Sequence, residues 1–393
     1  MTSAEIIALA DRYLCPTYAR APLALVRGQG TRVWDADDKI YLDFFSSTVV
    51  TNLGHQHPAI VRAIETQAHQ ILHVSNLHYC EPQARLAEKL VQSSFADRVF
   101  LCNSGAEANE AAIKLARKYG HAQGGGRYEV ITAYNSFHGR TLATIAATGQ
   151  EKVRVGFEPV QQGFRYAAYD DVDAVEQAIS PRTIAVLVEP LQGEGGIVGP
   201  APEYFQALRG LCDRHDLLLM FDEIQTGMGR CGTLFAYEQL GVAPDVMTLA
   251  KGLGAGVPIG AMLAAAPLAS VLDKGSHGST FGGNALTCAV GLAVMEVLQG
   301  EGVLANCVAM GERLSAGLRA LATKHPLIKA VRGRGLLIGV ELTQPGGPVV
   351  DRCLAAGLII NCTANTVLRL TPPLTVSAAE VDEALAILDK ALT

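Results

Sequence analysis

From about Arg98 to Ala264 the chain repeats one pattern: a short, β-branched apolar run, then in several cases an amphipathic or alanine-rich helical stretch. RVFLCN precedes AEANEAAIKLARKYG, and RTIAVLVEP precedes PEYFQALRGLCDRHD; YEVITA, LLLMFDE, DVMTLAKG and IGAMLAA continue the series. Strands that are apolar throughout must be covered on both faces, and helices between them supply that cover. The repetition predicts an α/β fold, with a large domain whose mostly parallel sheet has helices on both faces.

The C-terminal third changes character. A long helical stretch from about Ala285 to Lys324 leads to VRGRGLLIGVEL, a short helix, LIINCTANTVLRLTPPL and a last amphipathic helix from Ser377. This sequence of elements predicts a smaller α+β domain. Residues 47–287 are expected to form the large domain and residues 288–393 the small one, joined by the N-terminal segment 1–46 with its hairpin-like DADDK turn.

Composition narrows the function. With 393 residues, 49% hydrophobic and 18% charged, the chain reads as globular and long enough for a sizeable core. A net charge of −6 without any basic stripe leaves no electrostatic footprint for nucleic acid. The nine cysteines are odd in number and never spaced C-x-x-C, which argues for a reducing compartment, by default the cytoplasm. The N-terminus shows no apolar signal region and no apolar run is long enough to span a membrane, so neither targeting nor a membrane partner is expected.

Chemistry enters at TLAKGLGAGVPIGAMLA, Thr248–Ala264, whose one charge is Lys251; the nearest others are Asp245 and Asp273. A lysine packed among small apolar residues has a lowered pKa and can condense with an aldehyde. Pyridoxal 5'-phosphate is the commonest such aldehyde, and it demands an acid for the pyridine nitrogen, a phosphate cradle and a flat apolar surface. Asp222, at the end of the LLLMFDE run, suits the acid, although alone it reads equally well as a strand-end loop cap. Ser104, Gly105 and Ala106 open a helix directly after a strand, as a cradle would; an ordinary capped helix has the same form. NSFHGRTL brings Phe137 for stacking, His138, and Arg140 for a carboxylate.

SGAEANE, FHGRTLAT, EPLQGEGG, FDEIQTGMGR, TLAKGLGAGVPIGAMLA, STFGGN and VLRLTPPL, in this order and spacing, resemble the class III pyridoxal-phosphate aminotransferases of fold type I, from about Tyr18 to the C-terminus. The resemblance implies that Lys251 forms the Schiff base and shuttles a proton, Asp222 pairs with the pyridinium, Gln225 bonds the ring hydroxyl and Phe137 stacks on the ring. It implies a homodimer with the site at the subunit interface, Gly105 and Ala106 holding the phosphate with Thr280 from the other subunit, and Ser279 near the substrate. Arg140 would bind the α-carboxylate of the amino donor and Arg369 that of glutamate, with Glu194 pairing Arg369 in between. The implied reaction moves the δ-amino group of N2-acetylornithine to 2-oxoglutarate. Succinylornithine, N-succinyl-diaminopimelate, ornithine and 4-aminobutyrate remain alternative donors, and a non-catalytic cofactor-binding protein is a remote alternative. Ser46-Ser47 is similar to the ornithine-specific enzymes, but Thr48 stands where those have tyrosine.

Other motifs carry less. His55 and His57 have a metal-like spacing without a carboxylate or cysteine cluster, so no metal is expected. GRGLLIG from Gly333 lacks the following helix of a dinucleotide site and reads as a closely packed strand, and Cys102 and Cys288 read as inert buried thiols.

Overall fold

In the computed structural model, which describes residues 1–393, three sheets organise the chain. The first begins with the antiparallel strands β1 (Leu25–Gln29), β2 (Arg32–Asp35) and β3 (Ile40–Asp43). The DADDK turn joins β2 to β3, and Asp35 Oδ1 holds it by accepting from Asp37 N (3.0 Å) and Lys39 N (2.9 Å).

The central sheet holds β4 (Arg98–Cys102), β5 (Glu129–Ala133), β6 (Phe164–Ala167), β7 (Thr183–Val188), β8 (Leu218–Asp222), β9 (Val246–Leu249) and β10 (Gly260–Ala264), in the order β4-β10-β9-β8-β7-β5-β6. Only β10 runs antiparallel, against both β4 and β9. Every residue of β5, β7, β8, β9 and β10 is buried, which is why these runs are mostly apolar. Adjacent residues point to opposite faces. Val130, Leu187 and Met220 pack with Ala112 and Leu115 of the helix Gly105–Ala122, while Ile131, Val186 and Leu219 pack with Phe205 and Leu208 of the helix Pro202–Arg214. The expected α/β sheet, covered on both faces, is the observed one.

The C-terminal third contributes β11 (Ile328–Arg334), β12 (Leu337–Leu342), β13 (Leu358–Ile359), β14 (Asn361–Thr363) and β15 (Val367–Leu370). Four of them form an antiparallel sheet in the order β11-β12-β15-β14, and β13 pairs in parallel with β3 to complete the first sheet. GRGLLIG is the hairpin between β11 and β12, with Gly333 and Gly335 at positive φ. Arg332 Nε donates to Gly196 O (2.9 Å), tying this hairpin to the loop that carries Glu194.

One element differs from the sequence reading. The stretch Ala285–Lys324 is two helices, Ala285–Gly300 and Val303–Lys324, bent by 67° at Gly302, whose φ is +70°. Both flanks are apolar and rich in helix formers, so composition ran the two together. The left-handed glycine breaks the ladder.

The second of these helices packs at backbone contact: a Cβ on Gly311 would lie 2.3 Å from Gly335 O. Gly311→Ala is expected to destabilise the protein by about 1–3 kcal/mol through overpacking. Gly300→Ala, where a Cβ meets nothing within 4 Å, is expected to be neutral or slightly stabilising. Urea midpoints of the two variants check this, and equal midpoints would refute the packing argument.

Candidate active site

The parallel strands all end at one edge of the central sheet, and the predicted site residues are spread along it. Asp222 is the last residue of β8, Lys251 lies two residues beyond β9, and Phe137–Arg140 follow β5. Together with Ser104, Gly105, Ala106, Gln225, Val50 and Ile224 they line one cavity of about 420 Å³.

The cradle is local chemistry. Ser104 Oγ caps the helix Gly105–Ala122 by accepting from Glu107 N (3.2 Å), while the Glu107 carboxylate reaches back to Asn103 N (2.8 Å). The first intrahelical bond is Ala108 N to Ser104 O, so the N–H groups of Gly105 and Ala106 precede the ladder and are available to an anion. A Cβ on Gly105 would stand 2.7 Å from Ile224 Cδ1, so a larger residue would crowd the cavity wall.

Asp222 is buried and triply hydrogen-bonded. Oδ2 accepts from Asn109 Nδ2 (2.7 Å) and from His138 Nδ1 (2.8 Å); Oδ1 accepts from Ile224 N (3.1 Å). Burial and the nearby Arg369 charge push the Lys251 amine down from 10.5 to about 8, against the opposing pull of Glu194, Asp222 and Glu189. Glu189, immediately after β7, accepts from Phe137 N (3.1 Å); burial and the Asp222 charge push its carboxyl well above the usual range.

Arg369 lies on β15, 2% exposed, and Nη1 donates to Glu194 Oε1 (2.5 Å) and to Gln225 Oε1 (3.4 Å), while Nε donates to Asn361 Oδ1 (3.1 Å). Burial pushes the Glu194 carboxyl up, but the charge and hydrogen bond of Arg369 outweigh it and hold it below the usual range. Gln225 thus links this ion pair to the cavity. Arg140 is exposed at the cavity, its guanidinium carbon 5.5 Å from the centre of the Phe137 ring.

Two predicted residues stand apart. Thr280 is exposed and, with Ser279, borders a second cavity of about 1100 Å³ that does not contain Lys251. Ser279 is connected to the first cavity only through Asn103, whose Nδ2 donates to Ser279 Oγ (3.1 Å). His55 Nε2 meets Asp43 Oδ2 (3.0 Å), a carboxylate the sequence did not associate with it, and His57 Nδ1 accepts from Ala59 N (3.3 Å) at a helix start. Burial pushes the Cys102 and Cys288 thiols up to about 12, as inert cysteines require.

Sequence reasoning missed Asn109, Thr248, Glu189, Val50 and Ile224. For Asn109 a signal existed: it is the one amide on the buried alanine face of its helix, beside Ala108, Ala111 and Ala112.

These residues fit pyridoxal 5'-phosphate: free N–H groups at a capped helix start for the phosphate, a fixed carboxylate for the ring nitrogen, an aromatic wall, and a buried amine of lowered pKa within one cavity. The sequence profile of the class-III aminotransferases matches residues 14–392. The chain is 49% identical over 390 residues to the acetylornithine aminotransferase of Caldanaerobacter subterraneus, covering 99% of each. It is 46% identical to that of Methanocaldococcus jannaschii, covering 100% of this chain and 99% of the other. Among solved structures it superimposes on the ornithine aminotransferase of Toxoplasma gondii with a TM-score of 0.96 (35% identity; 100% and 95% covered). On the N-acetylornithine aminotransferase of Stenotrophomonas maltophilia the TM-score is 0.84 (38% identity; 98% of each covered).

The lowered amine pKa has a kinetic consequence. Only the neutral amine is a nucleophile, so the rate at which the cofactor-free protein condenses with pyridoxal phosphate is expected to rise with pH and level off above about 8. Stopped-flow absorbance across this range checks it. A rate still climbing tenfold per pH unit beyond roughly pH 9, as an ordinary lysine gives, would refute the burial argument.

Proposed function

We infer the reaction from the premise that this chain belongs to the class-III aminotransferases. It is a pyridoxal-phosphate enzyme that moves the δ-amino group of N2-acetyl-L-ornithine to 2-oxoglutarate, giving N-acetyl-L-glutamate 5-semialdehyde and L-glutamate, a step of arginine biosynthesis. Near-full-length identity to acetylornithine aminotransferases supports the substrate, and one observation carries the chemistry: the Glu194–Arg369 pair stands beside the cavity that holds Lys251 and Asp222.

The cofactor supplies, when bound, a carbonyl that condenses with amines and a ring that takes up the electron pair released at the reacting carbon. The chain's own residues do the rest. Lys251 Nζ, neutral in an appreciable fraction near pH 8, removes the proton from the carbon bearing the substrate amine and returns it elsewhere. Asp222 would accept a hydrogen bond from the ring nitrogen and thereby hold its proton. Phe137 would cover one ring face, Gln225 would bond the ring hydroxyl, and Ser104, Gly105 and Ala106 would bind the phosphate. Arg140 grips the α-carboxylate of the acylated donor. Arg369 takes the α-carboxylate of glutamate once Glu194 gives way.

The same proposal includes a homodimer in which Thr280 of one subunit completes the phosphate site of the other. In its support, Leu72, Leu77 and Phe281 are exposed apolar residues on segments around the second cavity. The division into a large domain, 47–287, and a small one, 288–393 joined by 1–46, belongs to the proposal as well. So does a cytoplasmic location, which the nine free cysteines support; no single helix is long and apolar enough to cross a membrane.

A second reading, transfer from free ornithine, has the Toxoplasma gondii likeness behind it. Thr48 stands where the ornithine-specific enzymes carry tyrosine, and this favours the acylated donor. Single-turnover decay of the lysine-bound cofactor's absorbance is expected to be at least about 10-fold faster with N2-acetylornithine than with ornithine or 4-aminobutyrate at equal concentration. Comparable decay with several amines would make the enzyme a broad ω-aminotransferase. No decay with any of them would remove the catalytic reading.

A further inference from the structure

The helix Gly105–Ala122 turns an alanine face toward the sheet, and Asn109 interrupts that face with no exposure to solvent. Three hydrogen bonds engage its amide. Oδ1 accepts from Thr248 Oγ1 (2.8 Å), and Nδ2 donates to Asp222 Oδ2 (2.7 Å) and to His138 O (2.8 Å). A flipped amide would set its oxygen against a carboxylate and a carbonyl, so the chemistry leaves one orientation. Thr248, fully buried on β9, secures it.

His138 alone would not fix Asp222. Its Nδ1 donates to Oδ2 from the loop after β5, and its buried Nε2 meets no protein hydrogen-bond partner, so the ring supplies one donor from one direction. The backbone N of Ile224 reaches only Oδ1. Asn109 is the second donor to Oδ2, and it comes from a different element. With both donors on Oδ2, the carboxylate plane is set and Oδ1 retains a free lone pair on a residue that lines the cavity.

We propose that Asn109, locked by Thr248, is a positioning residue that fixes the rotation of the Asp222 carboxylate and so presents Oδ1 to the ring nitrogen of the bound cofactor. The inference rests on the reading that Asp222 faces that nitrogen. It extends the site into a relay running from β9 through the cradle helix to the end of β8, and gives Thr248 a role through Asn109, without contact to cofactor or substrate. A preorganised hydrogen bond of this kind acts on the bound ring before any substrate arrives.

The test uses Asn109→Ala, Thr248→Val and Asp222→Ala in the full-length protein. Three quantities are read: the dissociation constant of pyridoxal phosphate, the pH midpoint of the lysine-bound cofactor's visible absorbance, and the melting temperature of the cofactor-free protein. Asn109→Ala is expected to weaken cofactor binding by about 10- to 100-fold and to move the absorbance midpoint in the same direction as Asp222→Ala. Thr248→Val, nearly isosteric, is expected to show both effects in smaller measure and keeps the test alive if Asn109→Ala does not fold. Should Asp222→Ala move the midpoint while Asn109→Ala and Thr248→Val lower only the melting temperature, the relay is structural and the proposal falls alone. An unmoved midpoint in Asp222→Ala would overturn the assignment of Asp222 itself, and the relay with it.

Discussion

An amine buried at the edge of a parallel sheet must have its charge managed, and much of the cavity's composition follows from that of Lys251. Burial and Arg369 favour the neutral form; Glu194, Asp222 and Glu189 favour the charged one, and the first pair wins by enough to bring the amine to about 8. The acids cannot all be charged cheaply at such close quarters. Glu194 is neutralised by its ion pair with Arg369, and burial and the Asp222 charge push the Glu189 carboxyl well above the usual range. Glu189 accepts from Phe137 N, so it also holds the start of the segment whose aromatic ring walls the cavity.

Rigid strand ends fix where these side chains begin, and the connecting loops absorb the strain. Non-glycine residues at positive φ include Lys251 itself (+44°), Asn135 (+62°), Met228 (+55°), Ile197 (+56°) and four consecutive residues, Ser46 to Val49, between +46° and +63°. Each left-handed residue costs roughly 1–2 kcal/mol, more for the β-branched ones, so such a run needs compensation. The chain provides it twice. Asp43 Oδ1 accepts from Phe45 N (3.0 Å) and Ser46 N (2.8 Å) at the head of the turn, and Val49 is buried at its tail against Leu191, Ile197, Leu337 and Val367. The latter contacts flank Glu194 and Arg369, so the strained turn braces the ion pair while Val50, just beyond it, reaches the cavity.

What was legible in the sequence is what depends on near neighbours in the chain. Strand and helix alternation is local, and so are a lone lysine in an apolar run and a small-residue helix start; each appears in the structure where the pattern placed it. Groupings across the fold were not legible. Asn109 and Thr248 lie 139 positions apart, and each alone passes for a polar residue in an ordinary element. His55 looked unaccompanied because Asp43 reaches it only across a turn. The break at Gly302 was hidden for the opposite reason: a single left-handed residue between two good helices leaves almost no trace in composition. Thr280 stands apart for another reason: within one subunit it lies outside the cavity with Lys251, and its proposed tie to the phosphate comes from a motif resemblance.

The two arginines assigned to carboxylates show why only one needs a resident partner. Arg140 is exposed and rests on the Phe137 ring, so water solvates its charge between substrates and no acid has to wait beside it. Arg369 is buried, and without Glu194 its remaining acceptors are the neutral oxygens of Gln225 and Asn361. Leaving a buried guanidinium in that condition costs about 3–5 kcal/mol, which would tax any step that opened the site before a new anion had entered. Exchange of one carboxylate for another avoids the penalty, because the guanidinium keeps a charged partner throughout. Glu194, itself part-exposed, can meet water as it leaves. On the proposed assignment, then, glutamate gains its place by substitution for an acid already there, while an acylated donor that approaches Arg140 finds Arg369 occupied and neutralised. On that proposed assignment, the difference in burial between the two arginines lets one cavity receive the two substrates in turn.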